Sequence, residues 1–162
     1  MVARRSYRIG SSSIAGYGHP KYETNTNTNN TSTETKTTYK GIDVSVWNGD
    51  IDWKKVKAAG IDFAIIRAGY GKNNLDSKFK NNAKNAVAAG VDVGFYWFSY
   101  AVNAAEAKAE ANYLCDAIES IGAKPTYPLC YDYEYDSVDK AKAKGYNPTN
   151  AEILAMGKAF LD

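Results

Sequence analysis

From Gly41 onward the chain alternates short apolar runs with longer stretches in which apolar residues return every three or four positions. The short runs predict strands and the longer stretches predict amphipathic helices. Strands are expected over residues 41–47, 63–68, 93–100 and 129–135. Helices are expected over about residues 52–59, 77–89 and 104–121, and from about Pro148 onward. Asp50 or Asp52 would cap the first helix. Pro148 suits the first turn of the last. In the third helix Ala111, Leu114, Cys115, Ile118 and Ile121 form one apolar stripe. Trp53 and Phe79 fall on helices and are expected in the core.

The pattern repeats. "AAGIDFAIIRAG" begins at Ala58 and "AAGVDVGFYWFS" begins at Ala88, and "SIGAKPTYPLCYDY" places Gly122 about one period later. Each glycine closes a helical stretch and precedes an apolar run, which suits the left-handed position after a helix. A repeat of about thirty residues holding one strand and one helix is a β/α unit. Four such units in series imply an α/β fold with parallel strands and right-handed crossovers. Apolar strands between helices further predict cover on both sheet faces. An open sheet and part of a β/α barrel both fit.

The first forty residues change the domain picture. "TNTNTNNTSTETKTT", from Thr24 to Thr38, is polar and lacks apolar anchors, so it cannot repay its ordering entropy. Residues 1–39 are therefore expected to be a disordered low-complexity tail and linker, and residues 40–162 the folded unit. Residues 1–40 hold six Lys/Arg against two Glu, whereas the remainder holds fourteen Lys/Arg against sixteen Asp/Glu. A mildly acidic folded part gives no reason to expect nucleic acid. No apolar run approaches the roughly 18 residues of a membrane span, and the first thirty residues show no apolar h-region of a signal peptide.

Composition narrows the chemistry. His19 is the single histidine, and no paired-cysteine motif exists, which excludes a zinc centre or a histidine-based triad within this chain. No metal and no cofactor are expected. "RAGYGK", from Arg67, lacks the spacing of a phosphate-binding loop. Cys115 and Cys130 each sit in an apolar pattern and are expected to remain thiols.

The acids carry the informative pattern. "CYDYEYDS", from Cys130 to Ser137, alternates Asp132, Glu134 and Asp136 with Tyr131, Tyr133 and Tyr135. On a strand all three acids would share one face, and the tyrosines would pack on the other. In the first strand Asp43 shares a face with Ser45 and Trp47, opposite Ile42, Val44 and Val46. Sites in β/α proteins gather at the C-terminal ends of strands, where these acids lie. Tyr96, Trp97 and Tyr100 on the third strand and Arg67 on the second are the candidate substrate contacts. Acids with aromatics suit glycoside cleavage: one carboxylic acid protonates the leaving oxygen and a second group stabilises charge at the anomeric carbon. Asp136 and Asp139 read as solvated loop acids.

Taken in order, "GIDVSVWNGDIDWKKVKAAGIDFAIIRAGYG", "GFYWFSYA" and "YDYEYD" closely resemble the family-25 glycoside hydrolases, which are lysozymes (N-acetylmuramidases). The resemblance runs from about Lys40 to Asp162. It implies cleavage of the β-1,4 bond between N-acetylmuramic acid and N-acetylglucosamine, with bacterial peptidoglycan strands as partner and an extracellular or wall-associated setting. It implies Glu134 as general acid/base. Asp132 would position the 2-acetamido group or stabilise the charged intermediate, and Asp43 would complete the acidic floor. The implied fold is a TIM-like β/α barrel variant, of which residues 40–162 would be about the first four β/α units. The family carries a further site Asp in its last strands, which this chain does not reach. The expectation is a truncated barrel, poorly active or inactive alone, with open strand edges that favour self-association. A chitinase-like glycosidase would place an acid where Cys130 stands, and a non-catalytic wall-binding fragment would lack Glu134.

Overall fold

The computed structural model describes residues 38–162, so the tail and linker expected before them lie outside the described residues apart from the last two positions. The elements run β1 (Gly41–Val44), α1 (Trp53–Ala58), β2 (Phe63–Tyr70), β3 (Asn74–Leu75), α2 (Phe79–Ala88), β4 (Asp92–Phe98), α3 (Ala104–Ser120), β5 (Leu129–Asp132), α4 (Tyr135–Ala143) and α5 (Asn150–Leu161). A 3-10 turn, Val46–Asn48, follows β1. The fold is α/β. β1, β2, β4 and β5 are parallel neighbours in chain order, and β3 pairs antiparallel with the end of β2.

Sequential order has a direct consequence. With crossovers of one hand and no reversal of strand order, every connecting helix lands on the same side of the sheet. Ala64, Ile66, Phe95 and Trp97 point to that side and are 0% exposed. Phe79 of α2 meets Phe95 edge-on, with ring centroids 5.3 Å apart, and Phe160 of α5 meets Tyr131 at 4.8 Å. Burying one such aromatic side chain stabilises the fold by about 1.5–3 kcal/mol. Among the described residues the helices cover one face only, which corrects the expected cover on both. The other face carries Asp43, Ile65, Tyr96 and Asp132 and borders a cavity.

Local chemistry sets the junctions. Gly60, Gly90 and Gly122 follow α1, α2 and α3 with φ of 81°, 77° and 63°. A Cβ in that left-handed region crowds the following carbonyl, so glycine is the residue that turns the chain from helix to strand. Asp52, not Asp50, caps α1 by accepting the Lys55 N–H at 3.1 Å. Asp50 instead forms an ion pair with Lys78. Thr149 caps α5 and exchanges hydrogen bonds with Glu152, so the helix starts at Asn150, two residues later than Pro148 suggests.

Two strands are shorter than their alternation implies. β1 stops at Val44 because Ser45 turns the chain: its hydroxyl accepts the Trp47 N–H and its own N–H donates to Asn48 Oδ1. Trp47 therefore leaves the face of Asp43 and is 85% exposed. β5 stops at Asp132, and α4 begins at Tyr135, within the stretch expected to be strand. Asp136 and Asp139 are helical rather than loop acids, and Asp139 lies 3.9 Å from Lys142 on the next turn. Tyr131 packs among the helices, whereas Tyr135 is 89% exposed and packs on nothing. No disulfide joins Cys115 and Cys130.

Candidate active site

The open face of the sheet forms the floor of a cavity of about 420 Å³. Strand register decides which side chains reach it. Asp43 pairs with Ile65, Tyr96 lies between Arg67 and Cys130, and Asp132 pairs with Phe98. Asp43 on β1 and Asp132 on β5 thus stand on the outer strands of the parallel sheet and face the same space. Glu134 joins them from beyond the strand.

Glu134 owes its place to a helix, not to the sheet. It is the N-cap residue of α4 in extended conformation, and its backbone N–H donates to Ser137 Oγ at 3.1 Å. Ser137 is 0% exposed, so that bond anchors the acid to a buried point. The Glu134 side chain is exposed and open to solvent.

The carboxyls perturb one another. Partial burial pushes the Asp132 carboxyl up to about 6, and the charges of Glu134 and Asp43 push the same way, against the pull of Arg67. Partial burial also raises Asp43, while a hydrogen bond from the Tyr96 hydroxyl lowers it. Burial raises the Tyr96 hydroxyl and the Cys130 thiol, so both stay protonated near neutral pH. Acids that share a site cannot all ionise freely, and Asp132 is the member that keeps its proton into mildly acidic solution. That is the electrical condition for a proton donor beside a carboxylate.

Arg67 stands behind the cavity lining and tempers this repulsion. Its Nε donates to Asp76 Oδ2 at 2.8 Å, with side-chain exposures of 12% and 0%. Asp76 also accepts the Val46 N–H at 2.9 Å and the Lys78 N–H at 2.8 Å, tying the turn after β1 to the start of α2. Asp76 was not legible as a site support: an Asp before a helix reads as a cap, and its arginine lies nine residues back on another element. Tyr100 sits past the end of β4, edge-on to Phe98 and Tyr70, with Lys140 Nζ 5.8 Å from its ring centre.

The structure thus gathers Asp43, Asp132, Glu134 and Tyr96 around one cavity and leaves Arg67 and Tyr100 beside it. Trp97 requires correction as a substrate contact. It is 0% exposed on the helix side, and its indole N–H donates to the Gly71 carbonyl at 3.0 Å. The pleat alternates side chains, so Tyr96 and Trp97 cannot both face the cavity. Cys130, Phe63 and Ile65 line the floor instead. Among the described residues no group of three or more His, Cys, Asp or Glu is placed to hold a metal ion. No described helix is long and apolar enough to cross a membrane.

Known proteins resemble this chain in sequence and fold. Lysozyme M1 of Streptomyces globisporus is 46% identical over 74 residues, covering 46% of this chain and 25% of its own. The modular autolysin LytC of Streptococcus pneumoniae, solved with a synthetic peptidoglycan ligand, is 30% identical with a TM-score of 0.64, over 75% of this chain and 28% of that one. A family 25 glycosyl hydrolase from Bacillus anthracis is 26% identical with a TM-score of 0.52, over 76% of this chain and 55% of that one. The chain spans about a quarter of the length of the curated relatives it matches. The model of the glycosyl hydrolases family 25 matches residues 42–162, and the chain belongs to that family.

Proposed function

We propose that this chain contributes the acidic half of a muramidase site and acts on the β-1,4 bond between N-acetylmuramic acid and N-acetylglucosamine in peptidoglycan. The observation that carries this reading is the convergence of Asp132, held up to about 6, with Glu134 and Asp43 on one open cavity. Glu134 gives its proton to the glycosidic oxygen as the C–O bond breaks. The substrate's 2-acetamido oxygen closes on the anomeric carbon, and Asp132 orients that group and balances its developing charge. Water then opens the ring with Glu134 as base, which returns the enzyme to its first state with net retention. Tyr96 holds Asp43 in place on the floor.

In this reading residues 40–162 form one folded unit that supplies the first four parallel strands of a β/α barrel. β1 and β5 each have one neighbour in the parallel sheet among the described residues, so their outer edges are available to further strands or to a second copy. The setting is the cell wall, outside the membrane.

Loss of turbidity of bacterial cell walls, with new reducing ends counted and chitin run alongside, tests the function. Wall cleavage with muramic-acid reducing ends is expected. Cleavage of chitin alone would replace the reading with a chitinase-like one, and wall binding without new reducing ends would make the chain a binding fragment. Light scattering on residues 40–162 tests the edges: concentration-dependent association is expected, and a monodisperse monomer would refute it.

A further inference from the structure

One carboxylate lies on the opposite side of the sheet from the cavity. Glu110, on the inward face of α3, is 3% exposed. Burial pushes its carboxyl up, and an unsupported acid there would be costly. It is supported by the end of β4. The Ser99 hydroxyl donates to Oε2, and the Tyr100 backbone N–H donates to Oε1 at 3.0 Å. Ser99 is itself 0% exposed. Its Oγ accepts the Ala101 N–H at 3.2 Å and lies 3.2 Å from the Tyr131 hydroxyl. Its backbone N–H donates to the Asp132 carbonyl at 2.8 Å. A continuous run of hydrogen bonds therefore joins Glu110, through Ser99, to both the residue before the cavity acid and the backbone of that acid.

This junction is where regular pairing ends. β4 stops at Phe98 and β5 at Asp132, so the N–H groups of Tyr100 and Ala101 have no place in the ladder and need acceptors. An apolar residue at position 110 would bury more cheaply, but it would leave the Tyr100 N–H and the Ser99 hydroxyl without their acceptor.

We propose that Glu110 is a positioning residue: through Ser99 it locks the ends of β4 and β5 together and so holds Asp132, and Glu134 two residues on, at the cavity. This rests on the reading of those two acids as the reacting groups. Glu110 itself touches no substrate.

Glu110→Ala removes both acceptors, whereas Glu110→Gln keeps the shape and one acceptor oxygen. Two readouts on the ligand-free protein decide. In Glu110→Ala the Ser99 amide should exchange with solvent about tenfold faster, the loss of about one hydrogen bond of local stability, while the Ile66 amide in β2 stays protected. The Asp132 carboxyl, followed by carbon-detected NMR titration, should fall from about 6 towards the ordinary carboxylate range as water reaches the loosened strand end. Glu110→Gln should restore most of both. A folded Glu110→Ala with Ser99 exchange and Asp132 titration unchanged would overturn the proposal. So would equal loss of protection at Ser99 and Ile66, which marks a general stability role. Should Glu110→Ala fail to fold, Ser99→Ala is judged by the Asp132 titration and the Tyr100 amide on the same terms. A chain that leaves cell walls intact would count against the proposed function, since neither readout needs turnover.

Discussion

The Tyr96 hydroxyl on β4 interacts with the Asp43 carboxyl on β1 across the cavity floor, past the intervening β2. That interaction favours the ionised form of Asp43 and opposes the effect of its partial burial. Tyr96→Phe should therefore raise the Asp43 titration midpoint while leaving the sheet intact. Carbon-detected titration of both proteins checks it, and an unmoved Asp43 would show that the hydroxyl contributes nothing to its charge state.

Glu134→Gln should reduce cell-wall cleavage by about 10²–10⁴, the usual worth of a positioned proton donor. The amide keeps the volume and leaves the bond from the Glu134 N–H to Ser137 in place, so thermal stability should hold. Near-normal cleavage by this variant would remove Glu134 from the proposed mechanism.

Asp132→Asn makes a prediction about stability against pH. The folded carboxyl titrates at about 6, above the roughly 3.9 of an unfolded aspartate. Between those values the folded chain holds a proton that the unfolded chain has released, so this group makes the protein less stable as pH rises through the window. The asparagine variant has no such dependence. Its melting temperature should exceed that of the parent above pH 6, and the gap should close as pH falls to about 4. A gap independent of pH would contradict the raised midpoint.

Asp76 and Arg67 test the frame behind the site. Removing one member of a buried pair leaves the other charge unmatched, at a cost of about 3–5 kcal/mol. Asp76→Ala should approach that loss in urea unfolding, because it also frees the Val46 and Lys78 N–H groups. Replacing both partners with apolar residues should recover part of it. Equal losses in the single and double variants would show that the pair itself contributes little.

The sequence carried the parallel α/β scheme because its determinants are local and periodic. Gly60, Gly90 and Gly122 mark the helix ends, and the apolar runs after them have few other uses. The start of α4 was hidden by "YDYEY", whose alternation imitates a strand. The chain turns into a helix there because Ser137 meets the Glu134 N–H, a bond that periodicity does not register. Asp43, Asp132 and Glu134 were legible as candidates because acids at strand ends have few structural uses. Tyr96 and Trp97 were legible as a pair, yet which of them faces the acids depends on the phase of the pleat. Glu110 offered one sign that went unused: it lies four residues before Leu114 and eight before Ile118, an acid on a buried stripe. Its partners, Ser99 and Tyr100, lie eleven and ten residues back in the segment after β4, out of reach of any local pattern.

The two acids nearest each other in sequence are held by different kinds of scaffold, with only Tyr133 between them. Asp132 inherits the rigidity of the sheet, and Glu134 takes its direction from the helix that starts after it. The gap between their carboxyls is therefore written into a three-residue junction and not into the barrel-forming strands. In the proposed mechanism Glu134 serves the leaving oxygen while Asp132 orients the 2-acetamido group, so that gap decides whether both can serve one sugar at once. Inserting or deleting a residue at Tyr133 would alter the gap while leaving the β4–β5 ladder in place. The pairing of the two acids is in this sense a portable trait of the junction, open to change by evolution or by design while the sheet beneath stays as it is.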